Sequence, residues 1–362
     1  MQYVRKLIFN PIVARKEKKQ LGMAPTHWRN AVTSQQQARQ AELAQLTNHG
    51  GGMGANEGRL AEYLYDRRML NRTIEGPELA RLRGANETVE TTRARLNMGR
   101  GNVRTDIFRP GAFHESSRRT EIARDLTDAM VNYETGITKA PMSNSRYGQL
   151  SASAAERTRA GNCGEHAHLA THLHAARLGS QEQVHMASST SVDHAWSELR
   201  GPNAHTSDVI MDAWSSGSAI LREDASFAHN PAQVQTHYAY NQASGLLAHQ
   251  DQQQLTQHLA TATDARNFVN NRHNQLTASN FHYSNGTYSP TPALSESFTR
   301  RANNAHNSLV NQPSSPQQPA GHSFHLAGIV ATGVARSLGD NVSQATRRAN
   351  TVVARGINSH WE

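Results

Sequence analysis

The sequence holds one cysteine, Cys163, in the run Gly161-Asn162-Cys163-Gly164-Glu165-His166-Ala167. A thiolate is a strong nucleophile, and a helix start favours it, because unpaired amides and the helix dipole attract negative charge. The break at Gly161 followed by helix-compatible residues puts Cys163 at such a start. Its small neighbours let a substrate backbone come close, and its own amide could donate to an oxyanion. A nucleophile of this kind needs a base, and the base needs a group that fixes its tautomer. His194, in Val192-Asp193-His194-Ala195-Trp196-Ser197-Glu198, and Asp212, in Val209-Ile210-Met211-Asp212-Ala213-Trp214, are the matching types. Taken singly, each has an ordinary reading: a buried apolar thiol, a core histidine, a turn aspartate. Taken in this order and on these elements, Cys163, His194 and Asp212 point to acyl transfer through a thioester.

Three elements must bring these groups together. A helix is expected from Cys163 to Leu178, closed by Gly179 at a left-handed position. Short strands are expected at 182–188, 192–199 and 207–214, with Gly201-Pro202-Asn203 turning the second into the third. Antiparallel neighbours joined in this way can set His194 beside Asp212, and the helix packed across them presents Cys163. Ahead of the cysteine, Ser153-Ala154-Ala155-Glu156 has the form of a capping box opening a short helix that Gly161 would stop. Residues 119–133 read as a helix with Ile122, Leu126, Ala129, Met130 and Tyr133 on one stripe. Short helices broken at Gly76-Pro77 are expected over 58–96, and a largely helical polar stretch over 232–271.

The motifs G-N-C-G-E-H-A, D-H-A-W-S-E and V-I-M-D-A-W resemble the Cys–His–Asp core of transglutaminase-like and papain-like enzymes, over Ser153 to Trp214. In length and motif position the chain is similar to the AvrPphE/HopX-like family, type III effectors that bacteria deliver into plant cells. The resemblance implies an α+β fold, a nucleophile-bearing helix on an antiparallel sheet with helical flanks. It implies Cys163, His194 and Asp212 as the triad of a cysteine protease, or of a transglutaminase or glutamine deamidase, acting on a host protein. It also implies type III secretion into the host cell and a secretion chaperone at the N-terminal arm. Where some relatives carry a myristoylated glycine, this chain has Gln2. Where papain-type enzymes place an oxyanion glutamine ahead of the cysteine, it has Arg157, so Asn162 and Gln149 become the candidates for a second oxyanion donor. Glu165 reads as a structural or substrate-side acid.

Composition limits the alternatives. The 362 residues suffice for one large domain or two ordinary ones, yet only 36% are hydrophobic, so the core is concentrated. The organisation expected is an N-terminal arm over 1–55, a helical region over 56–135, the Cys–His–Asp core over 136–230, a polar helical region over 231–310, and a linker with a helical tail over 311–362. A lone cysteine excludes an internal disulfide and a multi-cysteine zinc site. No apolar run is long enough to span a membrane, and Met1 to Asn10 lack the apolar core of a secretory signal. The net charge of +8 is spread along the chain without interleaved aromatics, which argues against nucleic acid as a partner. No cofactor is expected. His168 and His172 are four apart, as metal-binding histidines are, but without an H-E-x-x-H pattern they read as solvent-facing or packing side chains. The rival from another class is a non-catalytic effector that binds a host protein through its Gln- and His-rich helices.

Overall fold

The computed structural model describes residues 55–202, 208–283, 287–290, 292–310, 330–335 and 337–338. The arm up to residue 54, Asn203 of the expected turn and most of the 311–362 linker and tail lie outside the described residues. In chain order the elements begin with α1 (Ala55–Met69), α2 (Gly76–Arg95), β1 (Gly99–Arg100), α3 (Arg104–Ile107) and α4 (Glu115–Thr138). Next come α5 (Asn144–Thr158), β2 (Ala160–Gly161), α6 (Cys163–Ala175), β3 (Gln183–Ser189), β4 (Ala195–Arg200) and β5 (Val209–Met211). The series closes with β6 (Ile220–Leu221), β7 (Val234–Asn241), α7 (Gln242–Thr261), α8 (Thr263–Ala278) and α9 (Glu296–Val310). This is an α+β chain. Among the described residues, no helix is long and apolar enough to cross a membrane.

The described chain divides into two units, with the boundary inside α2 at Gly84. One unit holds residues 55–83 and those from 294 onward. There Leu60 and Leu64 of α1 are buried, and Tyr63 meets Phe298 of α9 with ring centroids 5.9 Å apart. The other unit, 84–293, contains Cys163, His194 and Asp212, and takes in 84–135 and 231–293 beside the 136–230 segment.

In this larger unit α5 is the central helix. Its run Ser151-Ala152-Ser153-Ala154-Ala155 is wholly buried, and side chains this small let α4, α6 and α7 close on it from three sides. Ala152 and Ala155 pack with Leu96, Leu169 and Leu173, while Ala154 packs with Ala123, Leu126 and Leu259. The expected helix start at Ser153 is therefore corrected. The helix begins ten residues earlier, where Ser143 caps it by accepting from the Arg146 amide at 3.2 Å, and Ser153 Oγ donates to the Gln252 carbonyl inside the core. The helix stops at Arg159, in the left-handed region at φ 65°.

The sheet has the order β6-β5-β4-β3-β7, each pair antiparallel. The helix and meander expected from the sequence are present, with corrections: the second and third strands run only over Ala195–Arg200 and Val209–Met211, so His194 and Asp212 lie just outside them. The helix ends at Ala175, not Leu178, and Gly179 is not among the residues at positive φ. The edge strand β7 occupies residues for which the sequence predicts a helix. Tyr238 and Tyr240, two apart, are set into the core, and a register shift against β3 separates them from Val234 and Thr236.

Candidate active site

Cys163 is the first residue of α6, and two short elements fix its approach. β2 runs parallel to β1, pairing Gly99 with Ala160 and Arg100 with Gly161. A Cβ on Gly161 would stand 2.5 Å from Cβ of Glu165, so only glycine fits ahead of this helix. Glu165 then accepts from the Asn162 amide at 2.7 Å and pairs with Arg124 at 2.8 Å. Burial opposes its charge, but Arg124 and the backbone donors outweigh burial and hold the carboxyl at about 2. Glu165 thus braces the start of α6 against α4, and the thiol itself remains half-buried and within reach of solvent.

The β4–β5 register pairs Ser197 with Met211. His194 immediately precedes β4 and Asp212 immediately follows β5, so the two meet at one end of the pair. The His194 Nε2–H donates to Asp212 Oδ2 at 2.8 Å. Asp212 Oδ1 accepts from the amides of Trp214 and Ser215, each at 3.1 Å. The carboxylate is thus fully partnered although it is only 2% exposed. On its other side the ring has the Cys163 side chain as a neighbour, near enough to act on its charge. Because Nε2 serves Asp212, the nitrogen left for sulfur is Nδ1. Burial disfavours charge on His194, but attraction to Asp212, the bond to Asp212 and the neighbouring Cys163 outweigh it and raise its pKa well above the ordinary value. Burial would raise the Asp212 pKa, and the His194 charge and hydrogen bond turn this into a net lowering. Trp196, Trp214 and Phe227 surround the imidazole, with centroids 6.1, 5.3 and 4.6 Å away, and so hold the ring plane.

No family model matches the chain, nor does any curated protein or solved structure. The site is accordingly read from its own geometry.

Of the residues singled out in the sequence, Cys163, His194 and Asp212 come together. Asn162 stands next to them, buried, its Oδ1 accepting from the Asn102 amide at 3.1 Å. Gln149 and Glu165 are engaged elsewhere: Gln149 Oε1 accepts from Arg146, and both oxygens of Glu165 face Arg124. Arg157, at the position of the papain-type glutamine, donates to the Leu259 carbonyl. Two residues carried no signal in the sequence. Arg93 of α2 sends its guanidinium to the carbonyls of Ala213, Ser215 and Gly217, at 3.1, 2.8 and 2.6 Å, and so clamps the loop that presents Asp212. Asn102 links the two ends of the site. Its amide meets Asn162, and its Oδ1 accepts from the Trp214 indole N–H at 3.0 Å.

The α6 histidines are packed rather than solvent-facing. His166 Nδ1 pairs with the Asn162 carbonyl, His168 with the Tyr238 hydroxyl, His172 with the His168 carbonyl and the Tyr240 hydroxyl, and His174 with Thr88. Among the described residues no group of three or more His, Cys, Asp or Glu is placed to hold a metal ion. Burial pushes His166 and His172 down to about 4 and His168 to about 3, and His185 of β3 likewise falls to about 4. Each is neutral in the fold and, below about pH 6.5, charged once unfolded. The unfolded chain therefore binds more protons, and stability drops as pH falls from 6.5 toward 4. His194, raised in the fold, stays charged in both states below pH 6.5 and does not offset this. The thermal midpoint is expected to fall by roughly 10 °C or more between pH 7 and pH 5. A flat midpoint over that range in a calorimetric series would remove the buried neutral histidines from the account.

Proposed function

We propose that the chain is a thiol enzyme that transfers acyl groups of proteins, working as a cysteine protease. The observation that carries this reading is one imidazole bonded to a buried carboxylate, with a half-exposed cysteine as its neighbour. The Cys163 proton passes to His194 Nδ1 to leave a thiolate beside an imidazolium, and Sγ then attacks a carbonyl carbon. The tetrahedral oxyanion collapses with release of an amine, which takes that proton, and water then hydrolyses the thioester. Asp212 holds the ring in the tautomer this requires and balances the imidazolium. The helix-on-sheet unit is read as a transglutaminase/papain-like core, and the motif resemblance to AvrPphE/HopX-like effectors supplies the host cell as the setting of the substrate. A glutamine side chain in place of a peptide bond makes the same chemistry a deamidation, and an amine in place of water makes it a crosslinking reaction.

The test has two arms. Iodoacetamide at pH 7 is expected to alkylate Cys163 about 10-fold faster than free cysteine, since His194 stands beside the sulfur as its base. Host-cell proteins exposed to wild type and to Cys163→Ala are then compared by mass spectrometry. New termini seen only with wild type support proteolysis, whereas a deamidation shift or a crosslink names the alternative. Ordinary alkylation together with an unchanged biological effect of Cys163→Ala would leave only the host-binding reading.

A further inference from the structure

A thioester mechanism needs two donors for the oxyanion, and α6 supplies one, the Cys163 amide at its first position. We propose that Asn102 is the second, donating through its side-chain Nδ2. This inference rests on the thiol-enzyme reading and adds a catalytic residue to it.

The argument begins with where Asn102 lies. Its backbone amide reaches Asn162, the residue before the nucleophile, and its side chain reaches Trp214, which packs on the His194 ring. Asn102 is therefore tied on one side to the residue before the thiol and on the other to a tryptophan beside the imidazole. Its backbone carbonyl is anchored as well, accepting from the Tyr288 amide at 2.8 Å. The preceding Gly101 carbonyl accepts from Ser117 Oγ at 2.7 Å, and a Cβ on Gly101 would come 2.6 Å from Thr120. The segment is thus pressed against α4 and has little room to shift.

The orientation of the side chain follows from its partner. The indole N–H of Trp214 is a donor only, so the atom facing it must be the amide oxygen. That assignment turns Nδ2 away from the tryptophan. Among the described residues Nδ2 has no hydrogen-bond partner, and the residue is half-buried, so the donor is held in place without being spent. Preorganisation of this kind makes an oxyanion donor effective, since no reorientation is needed as charge develops. Asn162, the other amide in the vicinity, is buried and has its oxygen turned to the Asn102 amide.

The test compares two reagents on one sulfur. p-Nitrophenyl acetate acylates Cys163 through a tetrahedral oxyanion: the S–C bond forms, the C–O bond breaks, and p-nitrophenolate departs with the electron pair. Iodoacetamide alkylates the same sulfur by direct displacement of iodide, with no oxyanion. Asn102→Ala is expected to slow acylation by roughly 100-fold while alkylation changes by less than about twofold. Asn102→Asp keeps an acceptor for Trp214, so the site stays folded, and replaces the donor with a negative oxygen. It is expected to slow acylation at least as much. If wild type reacts with both reagents no faster than free cysteine, the thiol-enzyme reading itself fails. If wild type is fast but both variants acylate normally, the assignment of Asn102 is overturned and the thiol reading stands. Equal slowing of both reactions in Asn102→Ala would also overturn it, by showing that Asn102 acts on the sulfur and not on the oxyanion.

Discussion

Asp212→Asn is expected to lower the rate of Cys163 acylation by about 10⁴-fold and to leave the fold standing. The asparagine oxygen can still accept from the Trp214 and Ser215 amides, so the turn after β5 keeps its internal bonds. Its NH₂ group then faces His194 Nε2, where an acceptor stood before. An imidazole meeting a donor at Nε2 must carry its proton on Nδ1, the nitrogen that would take the thiol proton, so the base is blocked by its own tautomer. Loss of the carboxylate also removes the charge that raises the His194 pKa, so the ring should titrate nearer 6.5. The measurements are single-turnover acylation by p-nitrophenyl acetate and the imidazole shifts of His194 by NMR across pH 5–10. An acylation rate within tenfold of wild type would mean that Asp212 does not orient the base.

The second large effect is on stability. Glu198 of β4 is fully buried and accepts from Arg222 Nη1 at 2.7 Å and from Arg200 Nε at 3.2 Å, with Asp208 a further 3.5 Å partner of Arg222. Arg222→Met fills similar space but leaves two buried carboxylates facing each other with one cation fewer. Breaking a buried pair from one side costs about 3–5 kcal/mol, so the urea midpoint should drop by roughly 1–2 M at an ordinary slope. The double variant Arg222→Met/Glu198→Gln removes one of the stranded charges and should recover part of the loss. A single variant as stable as wild type would show that the network contributes little. Arg222 also donates to the Ala228 carbonyl, next to the Phe227 ring that packs on His194. The variant should therefore loosen the aromatic surround of the imidazole as well.

Cys163, His194 and Asp212 are legible as a group because each lies at an element end with a local signature: glycine before Cys163, alternating apolar residues around His194 and Asp212. Their register follows from two adjacent strands, a short-range relation that spacing can express. The supports were not legible. Asn102 lies 60 positions from its partner Asn162, and Arg93 120 from Ala213, so nothing local distinguishes them from any other polar residue. β7 is hidden in the sequence because its alternation is short, only Tyr238 and Tyr240 being buried beyond a register shift, among glutamine, histidine and asparagine. The reading of Ser153 failed for the opposite reason. Its capping pattern was clear, but serine is also small, and packing of α4, α6 and α7 around α5 set its place.

The Arg93 clamp has a bearing on how the sequence can vary. Its guanidinium contacts main-chain oxygens of the 213–217 loop and so does not discriminate between the side chains there. Gly217 is still confined by Pro292, but Ser216 faces solvent between two clamped residues. That position can drift through many residue types while Asp212 stays in register with His194. Changes at this exposed position can therefore accumulate while the hydrogen bond between Asp212 and His194 is kept.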